Sequence, residues 1–136
     1  MTRFVLLFTV ALGLLAAGPG LEETQWRLKK IADQAEVSGK GQKKPYLKLE
    51  AKGHRLVGFS GCNRIMGSYK LKGSELGFEP TAGTKMACEQ GMDVEKRMTQ
   101  ALTKVKAWKM AGQGLELLDG GGKVLAMFEA VAEKAK

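Results

Sequence analysis

The chain reads as a mainly β protein, a small antiparallel barrel of about eight short strands with one helix inserted before the final three. Three observations carry this. Short runs of alternating apolar and polar residues recur through most of the sequence, separated by glycine-rich turns. One stretch, residues 91–105, switches to helical spacing. The length of 136 residues, 44% hydrophobic and 26% charged, supports one globular core but not two.

The N-terminal segment stands apart from this pattern. Met1–Gly20 carries Arg3, a mostly apolar run from Phe4 to Ala17, and the small-residue stretch Ala16-Ala17-Gly18-Pro19-Gly20. That is the layout of a secretory signal peptide, short for a span that needs about 20 apolar residues. The expected organisation is a signal peptide over 1–20 and one domain over 21–136. No cysteine lies near the boundary, so no lipid anchor is expected, and the domain should be a soluble monomer in the periplasm or outside the cell. Of the 22 basic residues only Arg3 lies in this segment, and none of the 14 acidic ones does, so the domain keeps nearly all of the +8 charge. Such an excess favours anionic surfaces. The lysines form no run, which is the pattern of a solvated basic face, and no specific nucleic-acid binding is expected.

The elements follow in order. Trp26–Ile31 is the first strand, with Trp26 and Leu28 on one face, and Asp33–Lys44 reads as an exposed loop. Tyr46–Ala51 alternates with Leu47, Leu49 and Ala51 inward, and a two-residue turn at Lys52-Gly53 leads into His54–Ser60, whose Val57 and Phe59 are expected to face inward. Ser68–Leu71 and Glu75–Glu79 flank the turn Lys72-Gly73-Ser74, and Pro80 ends that hairpin because it cannot donate to a ladder. In the helix, Val94, Met98, Ala101, Leu102 and Val105 form the apolar stripe, with Asp93 a candidate cap. Ala107–Met110, Leu115–Leu118 and Lys123–Phe128 make a closing meander, and the tail beyond Phe128 is expected to fray.

The central stretch is Ser60-Gly61-Cys62-Asn63-Arg64-Ile65-Met66-Gly67-Ser68-Tyr69, whose cysteine has one possible intrachain partner, Cys88 in Thr84-Lys85-Met86-Ala87-Cys88. In an exported domain two cysteines point to a disulfide. Closing a loop of about 25 residues would contribute about 3 kcal/mol. Two cysteines and one histidine cannot assemble a zinc site, so no metal is expected. His54, beside Arg55, reads as a solvated surface imidazole rather than a partner for a catalytic thiol.

Trp26-x-Leu28, Gly58-Phe59-Ser60-Gly61-Cys62-Asn63, Gly67-Ser68-Tyr69, Thr84-Lys85-Met86-Ala87-Cys88, Glu95 and Leu115-x-Leu117 occur in an order and spacing that resembles the META domain, the HslJ-like family of exported bacterial proteins. The resemblance covers nearly all of residues 25–129. It implies a lipocalin-like barrel with a helix packed against it, and an association with the envelope, heat shock, stress and antibiotic tolerance. It implies no reaction and no cofactor.

The candidate binding residues are Asn63, Arg64, Thr84, Lys85 and Glu95. Asn63 either presents its amide to a ligand or bonds its own loop backbone, the commoner use. Thr84 and Lys85 either bind an anion or sit in a solvated loop. Glu95 is read as favouring the helix dipole or bonding the cysteine loops, not as a general base. No nucleophile, base or metal constellation is present, so no catalytic residue is assigned and an enzyme is not expected. Met66, Met86 and Met92 near the cysteine loops admit a soft-metal site, while Met98, Met110 and Met127 fall on apolar faces and favour packing. The remaining readings are a non-catalytic stress protein binding an unknown envelope protein or anionic envelope component through the cysteine-loop end, and a small-molecule binder using the barrel mouth. Inward-pointing Trp26, Phe59, Phe78, Trp108 and Phe128 would fill the barrel and favour the first.

Overall fold

The computed structural model describes residues 18–35 and 37–132. The apolar run of the expected signal peptide lies outside the described residues. Among the described residues are a short 3-10 turn at Lys40–Gln42, nine strands and one α-helix: β1 (Gln25–Ile31), β2 (Tyr46–Glu50), β3 (Arg55–Phe59), β4 (Arg64–Lys72), β5 (Glu75–Phe78), β6 (Ala82–Gly83), α1 (Met92–Lys104), β7 (Ala107–Ala111), β8 (Gly114–Leu118) and β9 (Val124–Ala130). The order β3-β2-β1-β9-β8-β7-β5-β4 is closed by pairing of β3 with β4, so eight antiparallel strands form a ring, and β6 follows β5 along the same edge of β4. The weakest seam is β5 against β7, a single ladder pair at Glu75 and Ala107 reinforced by Leu76 N–H to Lys106 O and Trp108 N–H to Ser74 O, both 3.1 Å. The chain leaves the ring between those two strands, through β6, the second cysteine loop and α1.

Alternation explains most of the core. Trp26, Leu28, Leu47, Leu49, Leu56, Ile65, Tyr69, Leu76, Leu115, Leu117 and Phe128 are buried in one cluster with Val94, Met98 and Leu102 of the helix. In β1 the register shifts between Leu28 and Lys30, and this bulge turns Ile31 inward where strict alternation would have buried Lys30. The helix packs on β5 and β9 and lays its buried stripe into the same cluster.

Several local expectations are corrected. Leu56 and Gly58, not Val57 and Phe59, face the core: Tyr46 O lies so near Gly58 that an added Cβ would sit 2.3 Å from it. Phe59 is buried on the other face, beneath the Lys43 ammonium, 4.7 Å from the ring centroid. The turn between β2 and β3 spans Ala51–His54, since Glu50 pairs with Arg55, and it leaves Ala51 exposed. The strand expected from Ser68 begins earlier, at Arg64, and β9 runs to Ala130. Trp108 is half-buried, its indole donating to Gly73 O, while Met127 faces away from the core. Val37 and Gly39 within the expected exposed loop are buried.

Gly39, Gly61 and Gly91 come from three segments and meet where no side chain fits. A Cβ on Gly39 would fall 2.2 Å from Gly61 O, one on Gly61 2.6 Å from Gly91 O, and one on Gly91 2.3 Å from Gly61 O. Gly61 and Gly91 also have φ of +130° and +93°, which L side chains rarely adopt. This contact seats the start of α1 on the β3–β4 turn. Gly61→Ala is therefore expected to cost about 3 kcal/mol, from strain and overpacking together. Chemical denaturation checks it; a loss under about 0.5 kcal/mol, the range of ordinary surface substitutions, would contradict the packing.

Candidate functional site

The β3–β4 turn is Ser60–Asn63, closed by Ser60 N–H to Asn63 O at 2.9 Å. The glycine contact brings Glu95, in the first turns of α1, over this turn. Its Oε1 accepts from Ser60 Oγ and from Asn63 N–H, both at 2.7 Å, and its Oε2 accepts from Asn63 Nδ2 at 3.0 Å. Burial pushes the Glu95 carboxyl up, but the bonds from Ser60, from the Asn63 side chain and from the N–H groups of Asn63 and Cys62 outweigh it and hold it below the usual carboxylate range. A carboxylate so occupied has little basicity left for proton abstraction.

Asn63 is buried and uses its whole amide. Oδ1 accepts from Thr84 Oγ1 at 2.9 Å and Met86 N–H at 2.7 Å, while Nδ2 donates to Met86 O at 3.1 Å as well as to Glu95. Thr84 Oγ1 in turn accepts from Arg64 N–H at 3.2 Å. The Cys62–Cys88 disulfide, bridging a sequence separation of 26, fastens the same loop covalently. The Asn63 side chain bonds the backbone of the second cysteine loop, at Met86, rather than that of its own loop. Thr84 joins it in this internal network.

Arg64 and Lys85 differ from these. Both are exposed, and among the described residues neither has an acidic partner. Arg64 lines a cavity of about 320 Å³ with Lys40, Lys43, Phe59, Cys62 and Met86. Lys85 lines a groove of about 620 Å³ between the second cysteine loop and α1. Lys40, Lys43, Lys96 and Ser60 were not singled out from sequence; Ser60 was visible in the motif, but the lysines sit in segments whose docking depends on the three glycines. Asp93 does not cap α1. Gly91 occupies that position and Asp93 pairs with Arg97 at 3.2 Å. His54 lies at the far end, in the β2–β3 turn, stacked on Tyr69 with centroids 5.2 Å apart. There Tyr69 donates to the Glu22 carboxylate. Burial first, then that bond and the charges of Glu22 and Glu23, raise the phenol's pKa.

The META domain model matches residues 19–132. The chain belongs to the META domain family. Among solved structures this META domain is similar to a protein from Burkholderia xenovorans determined by NMR, at 33% identity and TM-score 0.65, over 83% of this chain and 85% of that one. A second NMR structure, at 22% identity and TM-score 0.60 over 79% and 90% of the two chains, shares the fold. No curated protein matches the chain.

Two outcomes follow from the network. Because the folded-state pKa of Glu95 is depressed, its contribution to stability is present above the unfolded pKa and is lost as pH falls below about 4.5, through the lower folded value. Glu95→Gln sets an amide against the Asn63 Nδ2 donor, so about 2–3 kcal/mol should be lost at pH 7, with a flatter stability profile as pH falls below about 5. Denaturant melts of both proteins across that range check this, and parallel profiles would contradict the assignment. For the disulfide, reduction should lower stability by about 3 kcal/mol. Mass measurement after alkylation should find no free thiol before reductant; two alkylated cysteines in the untreated protein would remove the bridge.

Proposed function

We propose that this META domain is a non-catalytic, exported stress-response protein that binds an envelope protein or anionic envelope component through its cysteine-loop end. The observation that carries the reading is a division of labour among the polar groups there. Glu95, Asn63, Ser60 and Thr84 spend their bonds on one another, while Lys40, Lys43, Arg64, Lys85 and Lys96 surround them exposed and, among the described residues, without acidic partners. A fixed frame carrying exposed cations suits recognition of an anionic partner. It supplies no activated nucleophile or base. The signal-like N-terminus and the disulfide support an exported setting. The alternative of a small-molecule binder draws no support from the interior, where Trp26, Leu56, Tyr69 and Phe128 fill the ring and the cavities named above lie outside it.

Crosslinking in the native envelope tests this. Paired reversal of Arg64 and Lys85 to Glu should reduce the captured partner at least about fivefold, since each exposed charge contact contributes up to about 1 kcal/mol and reversal adds repulsion. Lys52→Glu, in the β2–β3 turn at the opposite end of the ring, should leave it unchanged. Equal capture by all three proteins would remove the cysteine-loop end as the binding surface.

A further inference from the structure

Beyond the single ladder pair where β7 meets β5, β6 continues along the same edge of β4 that β5 occupies. It pairs with β4 through Ile65 with Gly83 and Met66 with Ala82, and among the described residues it ends the strand order with no neighbour on its other side. Thr84 N–H bonds to Arg64 O at 3.2 Å, so the hydrogen-bonded positions are Thr84 and Ala82. Alternation then directs the N–H and C=O of Gly83 away from β4. An added Cβ on Gly83 would lie 2.2 Å from Arg64 O, so the bare glycine is a condition of the pairing.

The free edge faces the 620 Å³ groove whose opposite wall is α1, a volume in the range of ligand-binding clefts. Met86 from the loop and Met92 from the helix line it and are 49% and 41% exposed, far more than the buried Met98 of the same helix. Such side chains adapt to apolar partners. Lys85 stands on one wall and Lys96 on the other. The acid lining the groove is Glu95, whose oxygens are taken by Ser60 and Asn63.

We propose that this groove receives an extended peptide of alternating acidic and apolar residues, added to β6 as a further strand. The proposal rests on the reading of the cysteine-loop end as a binding surface and names its occupant. Main-chain bonds to Gly83 and its flanking residues set the register along Thr81–Lys85, about 17 Å of extended chain. Apolar side chains of the peptide lie on Met86 and Met92, and its carboxylates meet Lys85 and Lys96. Exposed edges invite such pairing.

The test is an amide-shift NMR titration of the oxidised protein with the capped hexapeptide Glu-Val-Asp-Leu-Glu-Val, its alternately N-methylated twin, and a version with lysine at each acidic position. The acidic peptide should give saturable shifts at Thr81, Gly83, Lys85 and Lys96. The N-methylated and lysine versions, and the acidic peptide against Lys85→Glu/Lys96→Glu, should each bind at least about tenfold more weakly. Equal affinity of the N-methylated twin would overturn strand addition, and undiminished binding to the double variant would overturn the charge match. Saturable shifts confined to Lys40, Lys43 and Arg64 would overturn this groove while leaving the cysteine-loop end as the binding surface. Absence of saturation by all three peptides would overturn the inference, and the envelope crosslinking would then judge the broader reading on its own.

Discussion

The carboxylate of Glu95 is the group on which the closed end of the ring depends. It is the one charge that the helix places over the β3–β4 turn, and it accepts a hydroxyl, a backbone N–H and a side-chain amide there. A charge in that position would be costly without those donors, and the donors would be unsatisfied without it. The mutual requirement ties a helix to a hairpin that lies 32 or more residues earlier in the chain. Its position in the first turns of α1 adds a favourable interaction with the helix dipole.

That bond forms because three backbones can touch. Gly39, Gly61 and Gly91 bring the first loop, the β3–β4 turn and the helix start within contact distance, and Lys40 N–H to Gly61 O at 2.7 Å pins the first of these. Asn63 then passes the constraint outward, holding the second cysteine loop through both Thr84 and Met86, and the disulfide secures the same loop by a covalent route. The loop is thus held twice, by polar bonds that depend on the fold and by one that also restricts the unfolded chain. Its exposed residues, Lys85 and Met86, are carried on a frame that leaves them little freedom to collapse inward. Recognition surfaces gain from such preorganisation because less ordering is needed on binding.

Much of the architecture was legible in the residues. Alternation located the strands, the change of period located α1 to within a residue or so, and the two cysteines located the bridge. The misreadings share a cause. Whether Val57 or Leu56 faces the core is a choice between two alternating sets that are both apolar, and it was settled by Gly58 packing under Tyr46 O and by Phe59 finding cover beneath Lys43. The bulge in β1 and the single-pair seam between β5 and β7 are answers to ring closure, which local spacing does not encode. Of the candidate site residues, Cys62 and Cys88 form the expected bridge, Glu95 bonds the first cysteine loop, and Asn63 spends its amide on the second cysteine loop and α1 rather than on its own loop.

The sequence by itself determined the family, the strand and helix content and the cysteine pair, because these rest on periodicity, turn chemistry and residue type, all of which act over short range. The tertiary structure decided what the polar groups of the two cysteine loops and the helix start do. Asn63, Thr84 and Glu95 resemble ligand-binding residues in one dimension, but in three they satisfy one another, since desolvated polar groups must find partners and the nearest were brought by the glycine contact. The same folding left the edge of β6, two methionines and the surrounding lysines facing solvent, a surface that exists only once the ring has closed and the helix has been seated.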